Sequence, residues 1–224
     1  MSDAPSARPA LRVVLRPIGS PITIAMSGLG IASILESGLA LGWVPSGQAR
    51  EVGLALLAVP FILQTLACVF LYLVRDGVTA ASVGVLATTW LGLALVHITS
   101  AGDAPSAAVG LLLVSAAAAI AISGSVSLAN GLLPGVVFLL AALRFAVAGI
   151  DQLGGWIAWQ HAAGVIGLVV AGAVMYTALA FELKTQLRRV VLPTFQWGRS
   201  EPAVEALDGR LGPIVHEPGL QRGS

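Results

Sequence analysis

Six apolar runs, at residues 22–43, 52–74, 78–98, 107–127, 132–150 and 162–181, dominate this chain. Each is close to the roughly 20 residues that an α-helix needs to cross a hydrocarbon layer about 30 Å thick. Inside lipid every backbone N–H and C=O must find its partner within the protein, and for isolated runs of this length the helix is the structure that supplies it. The expected fold is therefore an all-α integral membrane protein, six transmembrane helices in a compact bundle. Composition agrees: 57% of the 224 residues are apolar and only 10% are charged, too few to cover a water-facing surface. Connections such as "RDG" at 75–77 and "LANG" at 128–131 are short. Sequential helices must then run antiparallel, with no room for an extramembrane catalytic domain.

The net charge of +1 points to no nucleic-acid partner; the distribution of charge is what carries information. Arg8, Arg12 and Arg16 precede the first run, Arg75 lies between the second and third, and Lys184, Arg188, Arg189 and Arg199 follow the sixth. The opposite loops carry Arg50 alone. This asymmetry places both termini in the cytoplasm and turns the loops near Arg50, Asp103 and Asp151 outward, with Trp43, Trp156 and Trp159 at the outer boundary. A multi-pass protein of the plasma membrane is expected. The first run is too long for a signal-peptide core and contains Glu36, so it is expected to be retained. Residues 1–19 and 194–224, rich in Pro, Gly, Ser and charge, read as a cytoplasmic lead-in and a largely disordered tail around a transport domain at 20–193.

Polar residues inside the runs need a reason. Thr23, Ser27, Ser33 and Ser37 fall within about a third of a helix circumference, with Glu36 about 60° beyond Ser33. Such a stripe either bonds carbonyls one turn back or lines a pathway. Glu36 and Arg144 demand more, because a charge deep in hydrocarbon costs about 2.5–3.5 kcal/mol even on lenient insertion scales. Glu36 lies seven residues before Trp43 and Arg144 seven before Asp151, so both sit roughly 10 Å below the outer boundary. A guanidinium–carboxylate pair bordering a permeation route is the expectation. Two other arrangements stay open: Arg144 reaching up toward Asp151, or a contact with another protomer.

Trp90, beside Thr88 and Thr89, falls near the bilayer centre and reads as a constriction or as a packed aromatic. His97 and His161 bring titratable rings to the outer ends of the third and sixth runs. Pro60 should kink the second run, with Gln64 a polar group one turn later. No metal-spaced His/Cys cluster, nucleophile triad or phosphate-cradling glycine loop is present, and the "GLG" at 28–30 lies inside a membrane helix. The expectation is a protein that is not an enzyme and takes no cofactor or metal.

The stretch "GVIGLVVAGAVMYTALAFELKTQLRRVVLP", residues 164–193, resembles the last helix and exit segment of the acetate uptake transporter family, the succinate–acetate permeases. The resemblance is carried by Gly164 to Leu168, by Tyr176, Gln186 and Arg189, and by Val191, Leu192 and Pro193. Residues 20–30, "SPITIAMSGLG", fit the family signature with Pro21, Gly28 and Gly30 retained, and Trp90 falls where the family has its third-helix tryptophan. Ser20, Thr23 and Ala25 depart from that signature. Leu86 and Thr89 stand where the family carries aromatics, and Glu36 and Arg144 occupy apolar family positions. The resemblance implies a six-helix protomer in a ring, typically a homo-hexamer, that passes acetate and similar small carboxylate anions, often with protons.

On that reading the transport pathway takes in Pro21, Thr23, Gly28, Glu36, Thr88, Thr89, Trp90 and Arg144. Pro21, Thr23 and Gly28 stand near the entry, Trp90 with Thr88 and Thr89 at a narrow zone, and Arg144 as electrostatic selector of a monocarboxylate channel or symporter. A channel for a small neutral solute, resembling the proton-gated urea channels in size, and a non-conducting membrane scaffold are the other two readings.

Overall fold

A computed structural model of the chain describes residues 20–99, 105–129, 131–187 and 191–193. The lead-in at 1–19, the tail at 194–224 and Asp103 lie outside the described residues. The helices are α1 (Ile22–Ala40), α2 (Ala49–Leu56), α3 (Ile62–Leu73), α4 (Gly77–Thr99), α5 (Ala107–Leu128), α6 (Leu132–Gly154) and α7 (Ile157–Leu187). Together α2 and α3 form one span, Ser46–Leu73, so the described residues contain six helical stretches long and apolar enough to cross a membrane. The chain is a multi-pass integral membrane protein. "Outer" below means the end that the basic-residue asymmetry assigns to the outside.

Local chemistry sets the boundaries. Pro21 precedes α1 at a φ of −75° and its carbonyl accepts the Ala25 N–H at 3.1 Å, a place where the missing proline N–H costs nothing. Gly42, with φ of +71°, ends α1 short of Trp43, while the Val44 N–H returns to the Gly38 carbonyl at 3.0 Å. Left-handed Gly155 separates α6 from α7. As a result α7 begins at Ile157, five residues before the apolar run at 162, because Gln160 and His161 are polar letters within its outer turn.

The kink expected at Pro60 is a widened turn. Residues Leu57–Phe61 take π-helical geometry, which accommodates the absent N–H without breaking the span. Gln64 follows one turn later, fully buried, and donates through Nε2 to the Ala25 carbonyl of α1 at 3.2 Å. Gly28 makes that approach possible: a methyl group there would stand 2.8 Å from Gln64 Cγ and 3.4 Å from the Pro60 carbonyl oxygen.

Small residues hold the other helices close. At the α5–α6 crossing, a methyl on either Gly110 or Gly149 would lie 3.0 Å from the other's carbonyl oxygen. In lipid such close backbone approach and the dispersion it brings, rather than water exclusion, drive helix association. Met26 and Leu29 of α1, Leu86 and Trp90 of α4, Ile120 of α5, Phe138 and Phe145 of α6 and Val174 of α7 fill one continuous interior. Trp43 and Trp156 are exposed at the outer end, as the boundary placement requires.

Candidate functional site

A vestibule of about 820 Å³ opens between the outer ends of the helices. Ser46, Arg50, Ser106, Gln152 and Gln160 line it nearest the loops, and Glu36, His97 and Arg144 line it deeper in the bundle. Arg144 is eight residues below Gln152 on α6, about 12 Å along the helix axis.

Arg144 is inside the protein. Only 4% of it is exposed, and its guanidinium carbon lies 5.6 Å from the ring centres of both Trp90 and Phe145. Those rings meet edge to face, 5.0 Å between centres and 64° between planes, and both are buried. The negative faces of two aromatic rings thus back a fixed cation, an arrangement worth about 2 kcal/mol where water is excluded. The alternative in which Arg144 snorkels to the surface is not what forms.

Around it lie polar atoms without partners. Arg144 Nε, Ser37 Oγ, Ser33 Oγ and Trp90 Nε1 are buried and have no hydrogen-bond partner among the described residues. Gly167 of α7 brings two of them together. A methyl there would overlap Ser37 Oγ and stand 2.7 Å from Arg144 Nε, so the absent side chain is the space these groups occupy. The polar stripe on α1 thus divides: the Ser27 hydroxyl bonds back to the Thr23 carbonyl at 2.8 Å, whereas Ser33 and Ser37 make no such bond. Unsatisfied buried donors cost about 1–3 kcal/mol each, more when charged.

The expected contact between Glu36 and Arg144 does not form. Glu36 Oε1 is 3.0 Å from His97 Nε2, and among the described residues no ion pair joins Glu36 to Arg144. Helix geometry gives the reason. Ser37 is the residue of α1 that meets Arg144, and Glu36, one residue earlier, points 100° away around the helix, toward α4. There His97 is fixed by close packing on α2, its Cβ lying 2.8 Å from where a methyl on Gly53 would be. Both charges still line the same vestibule.

Of the other residues read from the sequence, Trp90 joins the site as the ring beneath Arg144. Thr89 is buried beside it and donates to the Val85 carbonyl at 2.7 Å. Thr88 is exposed on the protomer's outer surface and bonds to the Gly84 and Val85 carbonyls, both at 3.1 Å. Pro21, Thr23 and Gly28 belong to the opposite end of α1. Pro21 and Gly28 are buried in helix contacts, and the Thr23 hydroxyl donates to Glu182 Oε2 on α7 at 3.1 Å. Phe145, Gly167 and the His97–Glu36 bond were not legible as site features. Phe145 adjoins Arg144 in sequence, which is a signal of a kind, but a glycine in a glycine-rich helix gives none.

Between Arg144 and the inner end the interior is solid: Met26, Leu29, Leu86 and Phe138 are each no more than 1% exposed. The site is a vestibule of mixed polar and aliphatic lining that ends on a guanidinium with an aromatic and aliphatic layer beneath it.

No protein-family model matches the sequence, and no curated protein matches it significantly. Among solved structures the chain is similar to the bacterial acetate channel SatP, with a TM-score of 0.70 and 23% sequence identity over 80% of this chain and 99% of that one. What the chain shares with that channel is its fold.

Proposed function

We propose that the protein moves small monocarboxylates such as acetate across the plasma membrane, as a channel or a proton-coupled transporter. The observation that carries this reading is Arg144: a buried cation, backed by two aromatic rings, facing a vestibule with unpartnered donors around it. A planar carboxylate matches a guanidinium fork in a way that neutral solutes do not. The fold likeness to a protein described as an acetate channel supports the same class of solute. A scaffold would gain nothing from a charge held at the end of a cavity, and a pore for neutral solute would have no use for it.

On this reading passage beyond Arg144 requires the Trp90–Phe145 layer to part, and the vestibule is the outward-open half of the pathway. A homo-hexameric ring, which the family resemblance implies, belongs to the same proposal. The test is uptake of labelled acetate into proteoliposomes. Wild-type vesicles should fill faster than empty ones, faster still with an inward proton gradient if protons are coupled, and Arg144→Gln should remove the difference. Uptake equal to that of protein-free vesicles at every pH would overturn the reading.

A further inference from the structure

We infer that Glu36 and His97 set the charge of the Arg144 site, making anion binding proton-linked, an inference that rests on the carboxylate reading above. Its basis is the 3.0 Å bond between His97 Nε2 and Glu36 Oε1 in a vestibule that Arg144 also lines.

The charges facing this pair are few. From α1 comes Glu36, from α2 Arg50, from α4 His97, and from α6 Arg144 and Asp151; the lining residues of α5 and α7 are uncharged, and α3 carries no charged side chain. Glu51 and His161, though on neighbouring helices, do not line the vestibule. Arg50 and Asp151 belong to the mouth and oppose each other in sign. That leaves the deeper part of the site to Arg144, Glu36 and His97.

With His97 neutral, the guanidinium and the carboxylate cancel, and an anion arriving at Arg144 meets no net attraction. With a proton taken from the vestibule water, His97 neutralises Glu36 and one positive charge remains. An acetate ion then brings the site back to neutrality. Acetate and a proton therefore favour each other's binding, and each must strengthen the other by the same factor. Glu36 is what creates the linkage, because it cancels Arg144 until His97 is charged.

The experiment measures acetate and oxalate affinity by titration calorimetry on the full chain in detergent between pH 5.5 and 8, for wild type, Glu36→Gln and His97→Gln. Wild type should bind acetate more tightly as pH falls, by a total of roughly 5- to 150-fold, the usual size of a coupling between sites. Glu36→Gln leaves Arg144 uncancelled, so at pH 8 it should already bind acetate as tightly as wild type does at pH 5.5. His97→Gln leaves the site cancelled at every pH, so it should bind at pH 5.5 as weakly as wild type does at pH 8. The two variants thus move in opposite directions, Glu36→Gln upward at pH 8 and His97→Gln downward at pH 5.5, which a merely structural role would not produce. Because Coulomb energy scales with ligand charge, the gain for oxalate at pH 8 in Glu36→Gln should be about the square of the gain for acetate. Wild-type affinity at pH 8 in Glu36→Gln, retention of the wild-type slope in His97→Gln, or loss of affinity in both, would overturn the inference. Absence of acetate binding to wild type at any pH would instead overturn the carboxylate reading itself.

Discussion

Arg144 and Gly167 face each other across the α6–α7 contact so closely that a methyl group on the glycine would stand 2.7 Å from Nε and 3.2 Å from Cδ of the arginine. Flexible side chains can often give way to such an intrusion. This guanidinium cannot move far, because Trp90 and Phe145 lie under it and Ser37 lies beside it. A change at Gly167 is therefore a change in where the cation is held.

Gly167→Ala should lower acetate uptake at least about tenfold while leaving a folded protein, since displacing a binding group by even 1 Å can cost on that order or more. Gly172 supplies the control. It lies on the same helix and a methyl there meets nothing within 4 Å in the protomer, so Gly172→Ala should transport as wild type does. Equal uptake by the two variants would show that the position of Arg144 is not critical.

Arg144→Lys separates charge from shape. Lysine keeps the positive charge but loses the planar fork and the stacking on two rings at 5.6 Å. Acetate affinity should fall about tenfold in Arg144→Lys and beyond detection in Arg144→Gln, as read by titration calorimetry. If Lys and Gln weaken binding equally, charge is not what the site contributes.

Gly28→Ala tests the packing role the structure gives a residue read from the sequence as part of the entry. The added methyl meets Gln64 Cγ at 2.8 Å, where overpacking costs about 1–3 kcal/mol. The melting temperature in detergent should fall, and acetate affinity per folded molecule should stay as in wild type, because Gly28 lies toward the inner end of α1 and does not line the vestibule. An unchanged melting temperature with altered affinity would return Gly28 to the pathway.

The spans were legible because lipid imposes one rule on backbone polar groups, and apolar letters report it directly. Arg144 and Glu36 were legible for the converse reason: a charge in hydrocarbon is too costly to be incidental. Their partners were not, because partner choice depends on the rotation of each helix about its axis. One residue between Glu36 and Ser37 decides whether α1 presents a carboxylate or a hydroxyl to Arg144, and hydropathy does not encode that angle. His97 read as a boundary histidine because it lies near the end of α4, yet the close contact at Gly53 fixes it against α2, within reach of Glu36. The start of α7 was hidden by Gln160 and His161 for the same reason that the boundary was misplaced: an outer turn of helix can be polar.

The layer beneath Arg144 yields the last prediction. Trp90 is fully buried and meets Phe145 edge to face at 5.0 Å, and on the proposed reading it stands in the path of an anion leaving the vestibule. Trp90→Leu removes the indole without introducing polarity and leaves space below the guanidinium. Large-to-small changes of this kind destabilise by about 3–5 kcal/mol at the extreme of alanine, and leucine should cost less because it fills part of the space. If Trp90 is the barrier, wild-type proteoliposomes should exclude butyrate and Trp90→Leu proteoliposomes should take it up, while acetate uptake stays within about threefold of wild type. The anion site itself is kept, since Arg144 retains Phe145 beneath it and the vestibule above. Unaltered exclusion of butyrate in a variant that still binds acetate would place the size filter elsewhere, with the inner-end contact of Thr23 and Glu182 the next place to look.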